Sequence, residues 1–121
     1  MVSVKELKVY KLSFETGLLV YKITEKFPKT ETFGIVAQMR RSCVSIISNL
    51  SEGCARGHTK DYRRFVEVAR GSASELLTQI EFSIALGFIQ ESDSIVLIGN
   101  MNEILKMLSG LIRSLEQKIN P

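Results

Sequence analysis

The stretch IGNMNEILKMLSGLIRSLEQKI, residues 98–119, decides the fold class. Ile98, Met101, Leu105, Leu108, Ile112, Leu115 and Ile119 step through it by alternating threes and fours. That rhythm puts one apolar residue on the same side of a helix at every turn, the pattern of a heptad seam. A strand would need alternation by twos, and none is present. Leu97, Ile104 and Leu111 add a second line at seven-residue spacing. The combined face is wide enough to meet two neighbours, so this line is expected to contact another subunit.

Moving upstream, three breaks separate four periodic segments. Gly87 offers a C-cap before the polar run Gln90-Glu91-Ser92-Asp93-Ser94. Gly53 and Gly57 precede a candidate N-cap at Thr59. Pro28 forces Phe27 away from helical geometry. The helices are therefore expected at about 6–26, 32–56, 59–86 and 93–118. Short links between four helices favour an all-α, antiparallel up-down-up-down bundle. At 121 residues the chain is expected to form one domain, 1–121.

The other segments have stripes of their own. In the first, Val9, Leu12, Thr16, Leu19 and Ile23 share a face. Tyr10, Phe14, Gly17, Leu18 and Tyr21 line the opposite one. A helix packed only inside its own bundle needs one stripe, so the second predicts an oligomer interface at Tyr10, Phe14, Leu18 and Tyr21, joined by Leu97, Ile104 and Leu111. In the second segment Val36, Met39, Cys43, Ile46, Ile47, Leu50 and Cys54 point inward. In the third, Phe65, Val68, Ala69, Ser72, Leu76, Ile80 and Ser83 do so, with Gln79 at the edge and in need of a buried partner. The small run Gly71-Ser72-Ala73-Ser74 predicts a close helix–helix approach.

Little in the chain resembles a catalytic or metal centre. His58 is the one histidine, and the Glu-x-x-His pairs of carboxylate-bridged metal sites are absent from the sequence. Zinc needs more Cys or His ligands than are available. Cys43 and Cys54 fall on one expected helix, ~16 Å apart along its axis at ~1.5 Å per residue. They read as small apolar residues in a reducing cytoplasm. No enzymatic activity, cofactor or membrane span is expected.

Charge is more informative. The net charge is +3. Between residues 38 and 70, seven cations face three carboxylates, leaving +4, while nine cations against ten carboxylates elsewhere leave −1. Lys60, Arg63 and Arg64 occupy the first turns of the third helix, where cations oppose the helix dipole. Free backbone N–H groups beside cations suit an anion. Arg56, His58, Lys60, Arg63 and Arg64 are accordingly candidates for contact with an RNA or DNA backbone. The competing reading pairs them internally, since Glu52 with Arg56 and Arg63 with Glu67 have i,i+4 spacing.

Several stretches resemble one bacterial family. Leu7-x-Val9-Tyr10, Phe27-Pro28-Lys29, Phe33-Gly34 and Gln38-Met39-Arg40-Arg41-Ser42 come first. Ser48-Asn49-Leu50-Ser51-Glu52-Gly53 follows, with Arg56 close behind. Then come Phe65 through Ala69, Gly71-Ser72 and Glu75-Leu76-Leu77-Thr78-Gln79. In order and spacing, from about residue 7 to 88, these resemble the four-helix-bundle proteins encoded by intervening sequences of 23S ribosomal RNA genes. Ile47 stands where that family often has proline, and Ser51 where it usually has alanine. The resemblance implies an antiparallel bundle that assembles as a homopentamer. It also implies kinship with the nucleic-acid-binding accessory protein of diversity-generating retroelements, and no known enzymatic activity. Two functions follow as expectations: an oligomer that binds RNA or DNA, or a scaffold for a protein partner.

Overall fold

A computed structural model describes residues 3–121. Four helices carry the fold: α1 (Lys8–Thr24), α2 (Ile35–Arg56), α3 (Thr59–Ala85) and α4 (Glu91–Ile119), with short 3-10 turns at Val4–Glu6 and Lys29–Glu31. Each helix packs on the next, and α4 returns to α1, closing a four-cornered bundle with no diagonal contacts among the described residues.

Partner numbers run in opposite directions across the seams. Arg40 of α2 meets Tyr21 and Thr24 of α1, while Cys43 lies against Gly17. Met39, Ser42 and Ser45 of α2 meet Ser83, Glu75 and Ser72 of α3. Both pairs are therefore antiparallel.

The boundaries follow local chemistry. Gly57 has φ 78°, a left-handed position that ends α2 and that residues with a side chain rarely adopt. Gly87, at φ 80°, ends α3. Its N–H donates to the Ile84 carbonyl and that of Phe88 to the Ser83 carbonyl, the paired bonds of a Schellman cap. Three expected helix starts change in detail. Thr59 is the first residue of α3 and His58 its N-cap, with no side-chain capping bond. The polar run at 90–94, expected as loop, supplies the first turn of α4, where Glu91 and Asp93 complement the helix dipole. The second helix starts at Ile35, three residues later than expected, because a 3-10 turn and Gly34 intervene.

The core is built from Val20, Met39, Leu50, Val66, Ala73, Leu76, Ile80, Leu97, Met101, Ile104 and Leu108, all fully buried or nearly so. Two expected faces are displaced by a residue. In α3, Val66 and Ala73 point inward while Val68 is exposed. In α4, Leu97 and Ile104 occupy the interior with zero exposure, and Ile98 and Leu105 are only partly buried at its edge. Leu97 and Ile104 are thus core residues and not the subunit contacts expected of them. The bundle sits against α4 from two sides, so the inward direction falls between its two apolar lines. Leu111 is partly buried against the same core.

By length and mean hydropathy (1.4), α4 would be long and apolar enough to cross a membrane. Its most apolar line, however, is the one that fills the protein core.

Candidate nucleic-acid interface

The two-residue link Gly57-His58 turns the chain from α2 into α3 and gathers charge at one end of the bundle. His58 and Lys60 are exposed and make no ion pair among the described residues. The first N–H groups of α3 have no intrahelical partner, and His58 supplies no side-chain cap to satisfy them.

The three arginines are tethered. Arg56 reaches Glu52 at 3.1 Å and Arg64 reaches Asp61 at 3.6 Å. Both guanidinium groups also lie over the Phe65 ring, at 5.1 and 5.2 Å from its centre. Phe65, expected in the core, instead forms a partly buried platform between two cations. Arg63 turns the other way, toward α4. Its Nε stands 3.1 Å from Glu67 without the alignment of a hydrogen bond, and its Nη1 is 3.5 Å from Glu116. The structure thus brings Arg56, His58, Lys60 and Arg64 to one end and places Arg63 on the neighbouring face. Both spacing-based pairs, Glu52–Arg56 and Arg63–Glu67, form.

Those pairs do not remove the arginines from use. Arg56 and Arg64 are exposed and Arg63 is half-buried, and an ion pair that solvent reaches contributes only about 0–1 kcal/mol. A phosphate could displace a carboxylate partner at similar cost, and the planar guanidinium can hold it by two parallel bonds.

Two further cations escaped sequence reasoning. Arg70 of α3 and Arg113 of α4 flank a shallow pocket of about 370 Å³ on the α3–α4 face, with Glu67 and Glu116 beside them. Neither arginine makes an ion pair among the described residues. Nothing in the spacing of 70 and 113 announces this; the antiparallel packing of α3 on α4 creates it.

Beneath the Gly57-His58 link is a cleft of about 440 Å³, lined by Leu7, Cys54, His58, Tyr62, Leu111 and Leu115. Burial, then a hydrogen bond with the Cys54 thiol, raises the Tyr62 hydroxyl above its ordinary range. Burial likewise pushes the Cys43 thiol up to about 12. Both shifts favour the neutral form, the opposite of what activates a nucleophile. Both cysteines are free thiols. Among the described residues no three His, Cys, Asp or Glu side chains gather as a metal site.

On α1 the second stripe is at the surface. Phe14 is 45% exposed, Leu18 61% and Tyr21 39%, with Tyr10 partly buried and its ring 6.0 Å from that of Phe14. Gly17 does not belong to this outer line; a Cβ there would lie 3.5 Å from the Cβ of Cys43, at the α1–α2 seam.

Comparison with known proteins fits this architecture. A solved protein of unknown function from the S23 ribosomal protein family of Bacteroides thetaiotaomicron VPI-5482 superposes with a TM-score of 0.76 at 23% identity, covering 86% of this chain and 97% of the other. At that identity the likeness concerns the fold. No curated protein sequence matches. The family model described as 23S rRNA-intervening sequence protein matches residues 5–110. Matched over most of its length and folded as four helices, the chain belongs to the 23S rRNA-intervening sequence protein family.

Proposed function

We propose that this chain is a non-enzymatic, cytoplasmic helical-bundle protein that assembles as a homopentamer and binds RNA or DNA through its basic end. The observation that carries the binding is the cluster of exposed cations, Arg56, His58, Lys60 and Arg64, around the uncapped start of α3. A single such cluster is weak. Repetition in an assembly multiplies it through effective concentration. The exposed line Phe14, Leu18 and Tyr21 supports assembly, since a monomer gains nothing by leaving it in water. The subunit number comes from the family resemblance.

A gel-shift titration across salt tests the binding. Backbone contact predicts sequence-tolerant affinity that falls steeply as salt rises. Arg64→Glu combined with Lys60→Glu is expected to abolish the shift while leaving the mass of the assembly unchanged. Unaltered binding by this variant would sink the assignment of the α3 start.

A second reading is a scaffold for a protein partner, without nucleic acid. It is favoured by Phe33, 96% exposed just before α2, and by the exposed Phe82 and Leu86 at the same end of the bundle, where α3 finishes. Capture of a protein that persists after nuclease treatment, with no retained nucleic acid, would select it.

A further inference from the structure

The face between α2 and α3 carries an open groove of about 770 Å³. Arg41, Ser42 and Ser45 form one wall and Ser72, Glu75 and Gln79 the other. Two stretches that carry the family resemblance, residues 38–42 and 71–79, meet here. Serines on both walls keep the groove open. Gln79 is nine-tenths buried in its floor, and its Oε1 has no hydrogen-bond partner among the described residues. A buried acceptor without a donor is costly, and this one lies beneath the open groove. Exposed Val44 lines the groove, and exposed Val68 lies one turn before Ser72 on α3.

We infer that this groove receives the outer face of α1 from a second copy of the chain. This rests on the homo-oligomer proposed above. The surfaces match in chemistry. Phe14 and Leu18 offer apolar surface to Val44 and Val68. Lys11 and Lys22 fall within about 40° of Leu18 on the helical wheel at ~100° per residue. The groove answers with the exposed Glu75 carboxylate. Glu15 of α1 and Arg41 of the groove supply a reciprocal pair. Lys11, Glu15, Lys22, Arg41 and Glu75 all lack an ion-pair partner among the described residues.

The α1 stripe and the groove share Tyr21, which lines the groove, but Phe14 and Leu18 lie outside it, so the contact is head-to-tail. They occupy adjacent faces of the bundle, which meet at α2. Each added subunit is then turned relative to the last, and the chain of contacts closes into a ring where opposite faces would give a filament.

Two single substitutions at exposed positions test the pairing. Leu18→Arg spoils the stripe and spares the groove. Glu75→Arg spoils the groove and spares the stripe. Light scattering is expected to give an oligomer for the unaltered chain and a single-chain mass for each variant, with helical circular dichroism retained. An equimolar mixture of the two variants is expected to double in mass and stop there, because one intact stripe meets one intact groove. A mixture that stays monomeric would overturn the pairing. So would either variant keeping the full oligomer mass, and both outcomes leave the oligomer itself standing. An unaltered chain that is monomeric removes the oligomer and this interface together.

Discussion

The hydroxyls of Ser45 on α2 and Ser72 on α3 lie 2.7 Å apart across the seam between the two helices. That contact is possible only where both side chains are small. It sits in the middle of the most extensive helix pair of the bundle, and Asn49 adds a bond to the Ser45 hydroxyl at 3.1 Å. Ser72→Ala removes one hydrogen bond and should cost about 0.5–1.5 kcal/mol. Ser72→Leu crowds Ser45 across the seam and should cost about 1–3 kcal/mol. Urea unfolding distinguishes them. Equal losses would mean that the seam is not sterically tight.

Gly53 and Gly57 are glycines for different reasons. A Cβ at Gly53 would lie 2.9 Å from the Cβ of Phe65, closer than real Cβ atoms approach, and a tight 3.0 Å from Cδ1 of Tyr62. At Gly57 there is space, but φ is 78°. Gly57→Ala should lower stability by about 1 kcal/mol through backbone strain. Gly53→Ala should cost about 1–3 kcal/mol through overpacking. Gly57→Asn, which tolerates left-handed geometry, should recover part of the first loss; the same replacement at 53 should worsen the second. Thermal melts of the four variants read this directly.

Arg63 touches two carboxylates, yet its side chain is 36% exposed. Solvent screening limits such a pair to about 0–1 kcal/mol. Arg63→Gln should therefore change the unfolding free energy by less than about 1 kcal/mol, and the difference should shrink further in high salt. A loss above that range, insensitive to salt, would mean that Arg63 anchors α3 to α4 by packing instead.

The Cys43 thiol gives a pH dependence with a definite sign. Its ordinary value of 9.0 is pushed up to about 12, chiefly by burial. The folded chain thus holds this proton more tightly than the unfolded one. The associated stability is complete below about pH 9 and is lost as pH rises toward 12. Tyr62 shifts in the same direction, so total alkaline sensitivity does not isolate Cys43. The comparison with Cys43→Ala does. Between about pH 8 and pH 10.5 the unaltered chain should lose more stability than the variant. Parallel pH profiles would rule Cys43 out as the source.

Local chemistry in the chain was enough to establish four helices, their order and most of their ends. Threefold and fourfold spacing of apolar residues identifies a helix without reference to neighbours. Glycine at 57 and 87 stops one because the left-handed turn is a property of the residue itself. The Glu52–Arg56 and Arg63–Glu67 pairs were legible for the same reason, since both partners lie on one helix. The exposed line Phe14, Leu18 and Tyr21 was legible too, as the face opposite a sufficient core stripe.

Packing alone decided the rest. Leu97 and Ile98 are equally apolar neighbours; α4 turns Leu97 fully inward because α1 and α3 press on it from two sides, and that angle is not encoded within α4. Val66 displaces Val68 from the core of α3 on the same grounds. The meeting of Arg70 with Arg113, the Phe65 platform under Arg56 and Arg64, and the groove that leaves Gln79 without a donor all join residues from different helices or turns. Side-chain periodicity fixes what each helix offers, but which offer is taken up depends on the rotation of each helix against its neighbours, and that is settled only when all four pack together.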